Sequence, residues 1–158
     1  MTGPITSTLD PARRDVAAAA LQAALVDLVD LSLIGKQAHW TVVGPQFRSI
    51  HLALDELVTA ARDFADQSAE RLTAIGVAPR RPCRDGGTRI GGTKGFGDGW
   101  TKGEEVVAAI VDNIAAVVSR LRGHIDATAE ADPVTQDLLI GQTARLEQLH
   151  WMWQAQLA

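Results

Sequence analysis

"KQAHWTVVGPQFRSIHLALDEL", residues 36–57, places His39 and His51 on either side of a Gly44-Pro45 break and follows them with two carboxylates, Asp55 and Glu56. Gly and Pro together punctuate a chain, and the apolar spacing on both sides is helical, so the stretch reads as helix, turn, helix. Working back from the turn, Asp10 suits an N-cap and Pro11 the first helical position, which predicts one long helix from Asp10 to about Val43. "LQAALVDLVDLSLIGKQAHW" is apolar around more than half its circumference, as expected of a helix buried on several sides in a bundle or an oligomer. Working forward, a second helix runs roughly from Pro45 to Ile75 and stops at Gly76, with Pro79 and Pro82 beyond.

The next segment, 77–103, is rich in glycine and has no clear period. It reads as a crossover loop with room for one short helix. A third helix from Glu104 to about Ala129 has an acidic first turn, and Asp132-Pro133 caps a fourth that continues to the C-terminus. Two short connections and one long one predict an all-α, four-helix bundle of the ferritin-like topology, one domain over 1–158 with a short tail at 1–11.

Composition narrows the function. The chain has 158 residues, 46% hydrophobic and 22% charged, as expected of a globular domain. No apolar run is read as reaching the roughly 18 residues of a membrane span, and "MTGPITSTLD" has no leader pattern. The expected location is therefore cytoplasmic, without membrane contact. Cys83 is the single cysteine and forms no internal disulfide. A net charge of −4 argues against nucleic-acid binding by the body of the protein.

On the second helix His51, Asp55, Asp66 and Glu70 fall at about 0°, 40°, 60° and 100°, a single stripe. A stripe of this kind is often only a solvated face. The two pairs are more than about 15 Å apart along the helix, so one chain cannot bring both to one metal. A two-fold axis near Ala60 and Ala61, small enough for two backbones to approach, would set His51 and Asp55 of one chain against Glu70 and Asp66 of another. The Gly44-Pro45 turn folds His39 back beside this half-site. Two imidazoles with carboxylates and no thiolate suit Fe(II), with Zn(II) and Mn(II) as competitors. A rival constellation, Glu147-x-x-His150 on the fourth helix, would need Asp27 or Asp30 and Asp112 to complete an intra-bundle site.

"LSLIGKQAHWTVVGPQFRSIHLALDELVTAARDFADQSAERLTAIG", together with a last helix ending in "LEQLHWMWQAQLA", resembles the signature of the Dps proteins, the mini-ferritins also called DNA-binding proteins from starved cells. The likeness covers most of the chain: Lys-x-x-His-Trp, His-x-x-x-Asp and Asp-x-x-x-Glu-Arg at matched spacing. It implies a hollow dodecamer that oxidises Fe(II), preferably with hydrogen peroxide, and stores the ferric mineral. His39, His51 and Asp55 would come from one subunit, Asp66 and Glu70 from its two-fold mate. Trp40 would sit beside the site to intercept radicals, although a core tryptophan has the same appearance, and Lys36 would act behind the ligands. Asp126, Glu130, Asp132 and Asp137 are the candidates for an acidic three-fold pore. The name also implies DNA binding, in the nucleoid, as the alternative function. Here the tail carries only Arg13 and Arg14, offset by Asp10 and Asp15, which leaves Arg80, Arg81, Arg84, Arg89, Lys94 and Lys102 of the crossover, against Asp85 and Asp98.

Overall fold

Asp10 and Pro11 start the first helix as their chemistry dictates: the Asp10 carboxylate accepts from the Arg13 amide, and α1 spans Pro11–Thr41. In the computed structural model, which describes residues 4–80 and 94–158, three further helices follow, α2 (Phe47–Ala74), α3 (Gly103–Thr128) and α4 (Pro133–Gln154), closed by a short 3-10 turn at Ala155–Leu157. Gly44, at φ 122°, makes the bend that a side chain would resist. The second helix begins two residues later than Pro45 suggests, with Gln46 at the cap position and no side-chain cap. Arg81, Arg84, Arg89, Asp85 and Cys83 lie outside the described residues.

One element left no trace in the sequence pattern. Val42–Val43 (β1) and Thr101–Lys102 (β2) pair in parallel, Val42 with Thr101 and Val43 with Lys102. The pairing pins the start of α3 beside the end of α1, so these two helices run antiparallel. The Asp27–Arg120 ion pair at 2.7 Å, between the same helices, fits that arrangement. The beginning of α4 sits against the end of α2 through Arg71, which donates to Asp132 (2.6 Å) and Thr135 (3.1 Å). Thus α1 and α4 point one way, α2 and α3 the other, and the end of α2 and the start of α3 lie at opposite ends of the bundle.

Side-chain amides dock the described ends of that connection. Gln22 exchanges two hydrogen bonds with the Arg80 backbone, Asn113 does the same with Lys94, and Gln37 donates to the Phe96 carbonyl. The Gln22 and Asn113 amides each supply the donor and acceptor that a neighbouring strand would offer.

The core is one continuous cluster drawn from all four helices, including Leu28, Leu31, Leu54, Leu57, Ile114 and Leu146. Contrary to the sequence reading, α1 does hold an 18-residue window apolar enough for a membrane span, with mean hydropathy 1.7. Of that window 61% is buried inside the bundle, so core packing accounts for its composition. A second correction concerns α2. Ala61 is fully buried in its own bundle, and Ala60 lies about 180° around the helix from His51. Thr59, Arg62 and Asp63 are the exposed residues at mid-helix, so a second chain crossing there would meet these and not a pair of alanines.

Candidate metal centre

The α1–α2 turn brings His39, at the last turn of α1, to His51, in the first turns of α2. Their rings stack with centroids 3.6 Å apart and planes inclined by 24°. Each Nδ1 lies at hydrogen-bond distance from the other residue's backbone carbonyl, His39 Nδ1 to His51 O at 3.0 Å and His51 Nδ1 to His39 O at 2.9 Å. A carbonyl only accepts, so each imidazole carries a proton on Nδ1, and in the neutral ring the lone pair lies on Nε2. That is the tautomer a histidine ligating through Nε2 needs, fixed here by reciprocal bonds between the two residues.

Asp55, one turn beyond His51, completes a cluster whose ligand atoms all lie within 4.8 Å of one another. The Lys36 ammonium donates to Asp55 Oδ1 at 2.8 Å, and His39 Nδ1 is 3.3 Å from the same oxygen. The hydrogen bond from Lys36 holds the Asp55 carboxyl below its ordinary range; partial burial opposes this, and the Lys36 charge adds to it, as do His39 and His51 when protonated. Asp55 is therefore a carboxylate at neutral pH, with Oδ2 free of the lysine. His39 is buried while His51 and Asp55 are half-buried, so the cluster is open on one side.

The other candidates are placed differently. Asp66 and Glu70 are exposed on α2, roughly 22 Å of helix rise from His51 for Asp66, and the fold does not bring them to the cluster within one chain. Trp40 is 68% exposed, so it is no core tryptophan of this subunit; it stands at the surface next to His39. Phe47, whose ring centre is 5.0 Å from that of His51, was not foreseen, although its position four residues before His51 was a signal for one shared face.

The rival constellation does not assemble. Glu147 pairs with Arg122 at 2.6 Å on the surface, Asp27 is held by Arg120, and Asp112 is exposed on α3. Among the described residues, the cluster able to hold a metal is His39, His51 and Asp55. Of the pore candidates, Asp132 is buried, caps α4 through the Val134 amide and pairs with Arg71. Burial raises its pKa, but the hydrogen bonds from Thr135 and Arg71 prevail and leave it below the ordinary value. This aspartate is occupied in holding α4 and is not a free pore ligand, whereas Asp126, Glu130 and Asp137 are exposed.

Comparison with known proteins agrees with the topology. A ferritin-like domain model matches residues 18–158. The chain is 32% identical over 150 residues to the DNA protection during starvation protein of Mycolicibacterium smegmatis, covering 87% of this chain and 74% of that protein. It is 39% identical over 145 residues to the fine tangled pili major subunit of Haemophilus ducreyi, covering 89% and 74%. Among solved structures, Mycobacterium smegmatis Dps in a tetragonal form superposes with a TM-score of 0.87 at 29% identity, over 99% of this chain and 94% of that one. Dps from Microbacterium arborescens in its high iron form gives 0.84 at 29%, over 96% and 98%. With its four-helix order, its long second connection and these relatives, the chain belongs to the Dps family of ferritin-like proteins.

Proposed function

We propose that the protein is a ferroxidase and iron store that oxidises Fe(II), preferably with hydrogen peroxide, at sites shared between two subunits, inside a hollow dodecamer located in the cytoplasm. The observation that carries the reading is the reciprocal bonding of His39 and His51 through Nδ1, which leaves both Nε2 atoms unused, in a cluster with Asp55 whose ligand atoms lie within 4.8 Å of one another. Nitrogen and oxygen donors without thiolate suit Fe(II), the substrate, and the open side of the cluster leaves room for more ligands and an oxidant. Asp66 and Glu70 of a two-fold mate are the donors we assign to that side. Both are exposed, and among the described residues neither has a partner in its own chain. Two Fe(II) give one electron each to a peroxide, whose O–O bond breaks; with two waters the products are two FeO(OH) and four protons. Separating both electrons from free solution keeps peroxide from forming hydroxyl radical, and the exposed Trp40 is positioned to take up a stray oxidising equivalent. Asp126, Glu130 and Asp137 are the carboxylates left for concentrating cations at an entry pore.

The test is Fe(II) oxidation by peroxide in the assembled protein, followed by ferric absorbance. Wild type should turn over rapidly, and His51→Ala should lose the fast phase. A monomer by light scattering, or full activity in His51→Ala, would contradict the reading.

DNA protection is the alternative that the relatives' names supply. Arg80, Lys94 and Lys102 are exposed cations on the described parts of the crossover, which favours a phosphate contact there, yet the chain is net negative. Binding should be weak and lost with added salt; tight gel shifts at physiological salt would make this the primary function.

A further inference from the structure

Gly35 is a helix-interior glycine in α1, where alanine would favour the helix more. Its surroundings give a reason. A Cβ built on Gly35 would lie 2.9 Å from Val58 Cγ2, closer than real Cβ contacts occur, and 3.9 Å from Leu57 Cδ2. Val58 is 4% exposed, and a β-branched side chain in a helix is confined to essentially one rotamer, so it has little freedom to swing aside. Gly35 and Val58 therefore mark the point where α1 and α2 touch backbone to side chain.

That point lies close to the metal centre. His39 is one turn beyond Gly35 on the same face of α1, and His51 is two turns before Val58 on the same face of α2. The two Nδ1–carbonyl distances of 3.0 and 2.9 Å leave little slack: at about 3.6 Å such contacts cease to be hydrogen bonds. Moving the helices apart by enough to restore ordinary contact at Val58, roughly 0.5 to 1 Å, would strain or break both bonds at once.

The geometry points to Gly35 as a positioning residue of the metal centre: by having no side chain it sets the α1–α2 separation at which His39 and His51 lock each other's tautomer. The inference rests on the metal reading of His39, His51 and Asp55. It assigns a role to a residue that touches neither metal nor ligand.

The experiment uses Co(II) as probe, titrated into the iron-free assembled protein and read by its d–d absorption. Gly35→Ala should weaken Co(II) binding about tenfold and alter the band shape. Adding Val58→Ala, which removes the atom the new methyl meets, should restore affinity to within about twofold. Leu121→Ala, a core variant on α3, controls for stability: it should lower the melting temperature while leaving the Co(II) spectrum unchanged. A crystal structure of metal-free Gly35→Ala supplies a readout independent of metal, with both Nδ1–carbonyl distances expected to lengthen and to return in the double variant. If Gly35→Ala binds Co(II) as wild type does, or if its loss is not restored by Val58→Ala, the inference is overturned. If wild type fails to bind Co(II), or His51→Ala binds it equally well, the metal reading itself falls and this inference with it.

Discussion

The two halves of α2 each carry a pair of metal-binding side chains four residues apart, His51 with Asp55 and Asp66 with Glu70, in different settings. At the start, His51 is bonded to the His39 carbonyl and Asp55 to Lys36, so each side chain is held by a partner within the chain. Toward the end, Asp66 and Glu70 occupy the same stripe, yet both are exposed, and among the described residues neither makes a hydrogen bond or ion pair. Folding of one chain explains the first pair's order and does nothing for the second. The contrast is what a site divided between two chains would leave in each: one half held by α1 and one half completed only by a neighbour.

The largest expected effect falls on activity at both ends alike. His51→Ala and Glu70→Ala should each lower the peroxide-driven oxidation rate by about a hundredfold or more, because the loss of any ligand spoils a shared centre. Their stabilities should differ. His51→Ala also removes a hydrogen bond and the ring stack, costing about 1 kcal/mol, while Glu70→Ala should leave the melting temperature of the assembly unchanged. A destabilised Glu70→Ala with normal oxidation would reverse the contrast.

Next in size is the anchor just beyond the Glu70 end. Asp132 has its pKa depressed by Thr135 and Arg71. A carboxylate with a lowered folded-state pKa stabilises the fold above its unfolded pKa, near 4, and that contribution is lost as pH falls through the folded value. Asp132→Ala should therefore cost about 2 to 4 kcal/mol at neutral pH, with the deficit shrinking below pH 4. Urea unfolding at pH 7 and pH 3 checks the sign. The smallest effect belongs to the rival constellation: Glu147→Gln and His150→Ala should leave oxidation within about twofold of wild type, and a large loss would revive the intra-bundle site.

Much of this was legible in the sequence because local chemistry decides it. Asp10-Pro11, Gly44-Pro45 and Asp132-Pro133 marked the helix boundaries to within two or three residues, since caps and first-turn prolines act on the backbone beside them. His39, His51 and Asp55 came together as the turn required. What escaped depends on tertiary placement. A two-residue strand pair has no period to detect, and bonds from His39 and His51 to each other's carbonyls join residues 12 apart through the packing of two helices. Ala60 and Ala61 looked like an approach surface by size alone, and only the bundle reveals that Ala61 faces its own core. The hydropathy of α1 misled in the other direction, because a helix buried on several sides and a membrane span share one composition.

Co-assembly of two inactive variants tests the divided site most directly. Chains carrying His51→Ala are mixed with chains carrying Glu70→Ala under conditions where subunits exchange, with mass spectrometry to verify the mixed oligomers. In every two-fold pair of unlike chains, one site receives both defects and the other receives none. With equal amounts and random pairing, half the pairs are mixed, so peroxide-driven oxidation should return to about a quarter of the wild-type level. Mixed oligomers that remain as inactive as the parent variants would contradict the account, because His51 and Glu70 would then not meet across two chains.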